Sequence, residues 1–249
     1  MDFLPFIICI SAFGLSFLFA LGGVGSAVAL IPALTWFGVP FVQARSIGLF
    51  VNTVGMVGAT YANIRKKNLD YALGLPIIIT SIVMAPAGAW IGHLLPARAV
   101  MVSFIVFLFF SGTMMLFFRG SRYADQYRDD RPVLLPLLIG TLAGFISGLL
   151  GVGGGGVVAP LMILRGFNPK RVAAITAFSV PFSSFSAFLA YAAMGSVSWT
   201  LLLIAGCAAW AGGYIGTIVM QKRMKPQTVK KFLGAVILLI AVKLISGLF

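Results

Sequence analysis

The stretch Leu150-Gly151-Val152-Gly153-Gly154-Gly155-Gly156 interrupts an apolar run that otherwise extends from residue 133 to residue 165. Glycine is a poor helix former, and so dense a cluster ends one helix before the next begins. An equivalent event stands earlier in the chain, where the apolar run 4–38 is broken at Leu21-Gly22-Gly23-Val24-Gly25-Ser26. Unbroken, that run would make a helix of roughly 52 Å against a hydrocarbon core of about 30 Å. The pieces after the breaks, 26–38 and 153–165, reach only ~20 Å as helices. Both breaks are therefore expected near the middle of a bilayer, as broken helices or re-entrant hairpins.

Outward from the breaks, apolar segments follow at 44–64, 71–94 and 99–118, and again at 171–194, 198–220 and 227–248. With 4–22, 26–38, 133–150 and 153–165 they make ten. Hydrophobic residues are 60% of the chain, charged residues 9%, and the mean hydropathy is +1.07. A soluble protein needs far more charge to cover its surface. The expected fold is an all-α polytopic membrane protein of ten hydrophobic segments and about eight to ten crossings. The polar stretch 119–132 is the natural boundary, leaving 1–118 and 133–249 as two halves.

The net charge of +13 would suggest nucleic acid in a soluble protein, but here the cations sit in short connections, with no basic stripe among aromatics. No nucleic-acid partner is expected. If every segment crosses, fifteen of the 18 lysines and arginines fall on one side, at 65–67, 119–131, 165–171 and 222–231. Only Arg45, Arg98 and Lys243 fall on the other. The rich side is then cytoplasmic, in a bacterial inner membrane, and both termini face outward. Cys9 and Cys207 lie inside apolar runs and read as small hydrophobes rather than a disulfide or metal ligands. The N-terminus has no basic leader and reads as an uncleaved first segment.

Shifted by 128, the halves match. Gly23, Val24 and Gly25 fall on Gly151, Val152 and Gly153, Pro32 on Pro160, Gly38 on Gly166, and Phe50 on Phe178. Ala87-Gly88-Ala89-Trp90-Ile91-Gly92 resembles Ala211-Gly212-Gly213-Tyr214-Ile215-Gly216 at a shift of 124. Five segments per half make the second half enter the membrane from the opposite side. Such inverted-topology repeats are a recurring transporter design.

Glycine turns at midplane depth bring backbone N–H groups together, and the half-helix that follows points its positive end at the same place. That combination binds an anion without a charged side chain. The candidate substrate-binding residues are Gly23, Gly25 and Ser26 in the first break and Gly151, Gly153, Gly154 and Gly155 in the second. Asn52 joins them, because an amide in hydrocarbon needs a partner. Thr176, Ser179 and Ser183, around the helix-loosening Pro181, complete the set, although such hydroxyls also bond their own helix. Isolated glycines such as Gly140, Gly144, Gly206 and Gly234 read as close helix crossings. Arg45 reads as an interfacial residue reaching the outer surface, with attraction of anions at the outer mouth as the alternative.

The pattern at Gly151–Pro160, with the alanine-rich Ala173-Ala174-Ile175-Thr176-Ala177-Phe178-Ser179 after it, resembles the TauE/SafE sulfite exporter family, also called the toluene-sulfonate uptake permeases. The resemblance covers essentially the whole chain. It implies transport of sulfite, sulfonates or related small organic anions. The first half departs from the pattern. Ser26 and Ala27 replace two glycines, and Arg45-Ser46-Ile47-Gly48-Leu49 lacks the threonine, so the second half is expected to dominate binding.

All five acidic residues, Asp2, Asp70, Asp125, Asp129 and Asp130, fall at segment ends or in the central connection. A carboxylate proton relay inside the membrane is therefore not expected, and neither is a cofactor or a metal site. An anion leaving a negative interior gains ~2.3 kcal/mol per charge per 100 mV, which favours export. A passive anion channel of the same fold is the alternative. A membrane enzyme acting on polyprenyl phosphate fits less well, since the cores hold no glutamate–arginine–histidine set.

Overall fold

The computed structural model describes residues 4–21, 23–117, 127–194, 199–223 and 226–246. Most of the connection, at 119–126, and both chain ends, with Asp2 and Asp125, lie outside the described residues, so the placement of the termini does too. Ten helices and no strand occur among the described residues. They are α1 (Leu4–Ala20), α2 (Ala27–Trp36), α3 (Phe41–Arg65), α4 (Tyr71–Leu94), α5 (Ala97–Phe117), α6 (Leu134–Leu150), α7 (Gly155–Leu164), α8 (Pro169–Ala193), α9 (Trp199–Arg223) and α10 (Pro226–Ser246).

Five helices are long and apolar enough to cross a membrane: α3, α4, α5, α8 and, over Leu202–Lys222, α9. The described parts of α1, α2, α6, α7 and α10 form shorter apolar helices. The glycine clusters fall between α1 and α2 and between α6 and α7, and α2 and α7 have 10 residues each. Pro40 precedes α3 and Asn168-Pro169 opens α8, where Asn168 Oδ1 accepts from the Lys170 amide at 2.9 Å. Proline at the first helical position forfeits no hydrogen bond.

Helices α3 and α8 form the centre. Of their most apolar windows 67% and 72% is buried, against 44% for α4, α5 and α9. The outside carries Phe6, Ile79, Val83, Trp90, Val106, Leu138, Leu203 and Leu239, all exposed, a continuous apolar surface that a bilayer would cover. Cys9 is half-buried and Cys207 is exposed on that surface; both are free thiols. Cys207 thus faces outward rather than into the core.

The packing pairs interlock the two halves. Helix α4 packs on α6 and α8, while α9 packs on α1 and α3. Helices α3 and α8 pack on each other, as do α5 and α10; α2 leans on α3 and α7 on α8. Exchanging α1–α5 with α6–α10 leaves every one of these pairs in place. Close approach is made by backbone: a methyl at Gly144 would lie 2.6 Å from Ser81 Cα, and one at Gly148 would strike the Ala85 carbonyl. Gly140, Gly206 and Gly234 likewise press against Ile77, Phe50 and Leu116, the small-residue packing seen between membrane helices.

Candidate functional site

The two glycine breaks meet. Gly155 lies against the carbonyls of Val24 and Gly23, so that no side chain fits between the segments. Gly23, Gly25, Gly151 and Gly153 have φ of +67°, +92°, +80° and +77°, a conformation that side chains resist. Each break therefore turns on glycine for a backbone reason, and the next half-helix starts beside its partner.

Asn52, in the middle of α3, is held between the breaks. It is fully buried, and its Nδ2 donates to Ser184 Oγ of α8 at 2.9 Å. A methyl at Gly25 would strike Asn52 Oδ1, and one at Gly153 would strike Nδ2 and come within 2.9 Å of Ser184 Oγ. Asn52 Oδ1 has no partner. A buried amide left half-satisfied costs about 1–3 kcal/mol. The Ser184 hydroxyl can donate as well as accept, so the amide can turn over and offer an N–H to the same space.

Each break is followed by the start of a short helix with free backbone donors. The first amides that reach back along α2 are Ala29 and Leu30, both on Ser26 O; along α7 they are Val157 and Val158, on Gly154 O. The amides of Ala27, Val28, Gly155 and Gly156 precede those bonds and lie in buried residues. First-turn amides have no acceptor in their own helix and carry its positive end. Neither Ser26 nor Gly154 caps its helix with a side chain.

Along the same α3–α8 contact, one further rung and one cavity bracket Asn52. On one side is Arg45, 2% exposed, with its guanidinium over the rings of Phe41 (5.2 Å) and Tyr191 (4.8 Å). On the other is a cavity of about 520 Å³ lined by Asn63, Asn68, Lys170, Arg171, Ala174 and Gln221, among others. Asn63 accepts from Gln221 Nε2 and donates to Ala59 O at 3.1 Å.

The rim of the cavity is an ion-pair cluster. Arg171 binds Asp70 through Nε (3.0 Å) and Nη2, and Asp129 through Nη1 (2.7 Å); Arg131 lies 3.4 Å from Asp70. Asp70 also caps α4, accepting from the Leu73 amide. Desolvation pushes the Asp70 carboxyl up, but the hydrogen bond and charge of Arg171, helped by Arg131, more than reverse this and hold it below the ordinary carboxylate value. Asp130 is held low by the hydrogen bond from Arg128.

An all-helical apolar scaffold with several helices long enough to cross a membrane agrees with the known proteins this chain is similar to. The family model described as "Sulfite exporter TauE/SafE" matches residues 8–244. The chain belongs to the TauE/SafE sulfite exporter family. It is 26% identical to the "Probable membrane transporter protein YunE" of Bacillus subtilis (strain 168), over 91% of this chain and 92% of that one. It is 28% identical to a "Probable membrane transporter protein" of Methanocaldococcus jannaschii, over 76% of this chain and 72% of that one. A third relative, "Sulfite exporter TauE/SafE family protein 1" of Arabidopsis thaliana, is 29% identical over 47% of this chain and 24% of its own length. The TauE/SafE chain is thus a multi-pass membrane transporter, and its relatives are named as transporters rather than enzymes.

Within this TauE/SafE chain the residues singled out by sequence separate into groups. Gly25, Gly153 and Asn52 come together. Gly23 packs on the Ala173 backbone, Gly151 on the stem of Arg45, Gly154 on Ala143, and Gly155 on Val24. Ser26 Oγ accepts from Ser16 Oγ at 3.1 Å. Thr176, Ser179 and Ser183 bond the carbonyls of Val172, Ile175 and Val180 in their own helix. Ser184, one of several α8 hydroxyls in sequence, is the one that reaches Asn52. Arg45 does not extend to the surface as expected for an interfacial arginine; α8 and the end of α6 enclose it.

Proposed function

We propose that this TauE/SafE transporter exports a small oxoanion, a sulfite or an organosulfonate, held at the meeting point of the glycine breaks. The observation that carries the reading is the convergence of Gly25 and Gly153, one from each glycine break, on the buried amide of Asn52. Buried first-turn amides favour negative charge, and Asn52 and Ser184 add adjustable hydrogen bonds. The names of the Arabidopsis relatives, sulfite exporter family proteins, support the substrate class.

The packing pairs preserved on exchange of the halves support reading 1–118 and 133–249 as inverted-topology repeats that rock about α3 and α8. The lysine and arginine asymmetry supports a cytoplasmic cavity mouth, with Arg171 and Lys170 beside it, and outward termini in a bacterial inner membrane. An interior entrance suits export, and the membrane potential supplies ~2.3 kcal/mol per charge per 100 mV. The close packing at Asn52 favours a carrier over an open pore.

The test is efflux from proteoliposomes loaded with sulfite, taurine, sulfoacetate or carboxylates, alongside ligand-induced thermal shifts of purified protein. Saturable efflux of a sulfur oxoanion that speeds up when the interior is made negative is expected. Efflux that ignores the potential but follows a sodium or proton gradient overturns the voltage-driven reading. No thermal shift with any anion of the panel overturns the anion site.

A further inference from the structure

Arg45 is an anomaly for a membrane helix. Its side chain is enclosed, and among the described residues no carboxylate lies within salt-bridge distance. Among the described residues its hydrogen bond runs from Nη1 to Leu149 O at 3.2 Å, and Nε is buried without a partner. Beside it, Tyr191 OH donates to Gly148 O at 2.9 Å. Both bonds end on the last turn of α6, whose carbonyls carry the negative end of that helix. Two ring faces and one carbonyl compensate a cation in part, yet they leave the Nε side of the planar fork unused. That edge is the one with which arginine grips an oxoanion through two parallel hydrogen bonds.

Its position is regular. Arg45 and Asn52 are seven residues apart on α3, two turns along one face, or about 10.5 Å. Ser184 and Tyr191 stand seven apart on α8, which runs the other way against it. Asn52–Ser184 and Arg45–Tyr191 are thus successive rungs of one ladder. The second glycine break runs along it, with Gly153 at the inner rung and Gly151 against the Arg45 stem, where a methyl would lie 2.8 Å from Cβ and Cγ.

We infer that Arg45 is a second anion-binding station of the transport path, on the far side of Asn52 from the Lys170–Arg171 cavity, and that it takes an oxoanion bearing two adjacent acceptor oxygens, such as a sulfite, sulfonate or carboxylate. The inference rests on the Asn52 junction being the central site. An anion arriving from Asn52 meets a cation only partly compensated, whose Nε edge matches it. In its absence the guanidinium is parked between Phe41 and Tyr191 and closes the end of the path.

The test uses full-length protein and sulfite as the probe. Arg45→Met replaces the cation by an apolar chain of similar length, a change that buried charges often tolerate without loss of stability. R45M is expected to keep a thermal stability equal to or above that of the wild type while its sulfite affinity falls at least about tenfold, the loss of a charged hydrogen bond. Arg45→Lys keeps the charge without the fork. It should also bind sulfite more weakly, and it should lose the preference for sulfite over chloride. If R45M does not fold, R45K decides the matter: unchanged affinity and unchanged preference overturn the inference. A folded R45M that binds sulfite like the wild type overturns it too, even if it leaks, because Arg45 then only closes the path. In that case sulfite binding lost in Asn52→Ala leaves the central site standing. Absence of binding in the wild type removes both.

Discussion

At the scale of single residues, Asn52 and the glycines facing it form one unit. Gly153→Ala adds a methyl against Asn52 Nδ2 at a φ of +77°, so it should lower the melting temperature and stop transport. Removing the opposing amide relieves the collision but not the backbone strain, which is worth about 1–2 kcal/mol. The double variant G153A/N52A should therefore regain part of the lost stability and none of the efflux; additive destabilisation would show that the two residues do not meet. Bulkier Gly153→Leu should abolish efflux while the protein still inserts in the membrane, and normal efflux by G153L would end the account of the breaks as a cradle. Asn52 could be picked out in sequence because an amide among apolar residues demands a partner. Ser184 could not, since its neighbours Thr176, Ser179 and Ser183 look alike and only the crossing of α3 with α8 separates them. The enclosure of Arg45 is hidden for a similar reason: its closeness to a segment start suggests a surface, whereas Tyr191 and Leu149, more than a hundred positions away, cover it.

At the scale of helices, each described helix falls on an apolar run, and the differences from hydropathy sit at the ends. Helix α3 starts at Phe41 rather than 44, and α8 at Pro169 rather than 171, because Pro40 and Asn168-Pro169 set their starts through backbone geometry rather than apolarity. The glycine breaks were legible because length alone forbids an unbroken helix. What each glycine touches was not. Asp70 joins elements: it caps α4 and receives Arg171 from the start of α8. Its carboxyl is held below the ordinary value, so its contribution is present above that value and is lost as pH falls through the lower, folded one. Asp70→Asn should lower the melting temperature at neutral pH, and the difference from wild type should shrink on acidification below about pH 4. A constant difference would assign Asp70 a role other than its charge. In the α4–α6 contact, Gly148→Val would push on the Ala85 carbonyl and should cost about 1–3 kcal/mol, read as a lower melting temperature.

For the whole molecule, the sequence does not say how residues 1–118 and 133–249 pack on one another. Helix α4 finds its partners in α6 and α8, and α9 in α1 and α3; neither half keeps its own fourth helix. Such exchange leaves no periodic trace, since an apolar face does not name what it packs on. Residues 1–118 or 133–249 expressed alone should therefore fail to give a stable protein, whereas the two co-expressed should purify together and bind sulfite. Stable, separately folded halves would contradict the packing.

The packing pairs survive exchange of α1–α5 with α6–α10, but the side chains along the α3–α8 contact do not. By the shift of 128, Arg45 corresponds to Ala173, Tyr191 to Asn63, Asn52 to Val180 and Ser184 to Met56. One end of the α3–α8 ladder thus carries a fixed cation and an aromatic ring, the other an amide and a methyl. For an anion on this route the dwell times at the two ends differ even when both compartments hold the same concentration. On the proposed route the two directions then saturate differently, so a steep gradient moves the anion faster in one sense than in the other, while a shallow one moves it equally in both. The equilibrium is still set by the gradient and the voltage, because no arrangement of fixed side chains can supply net work.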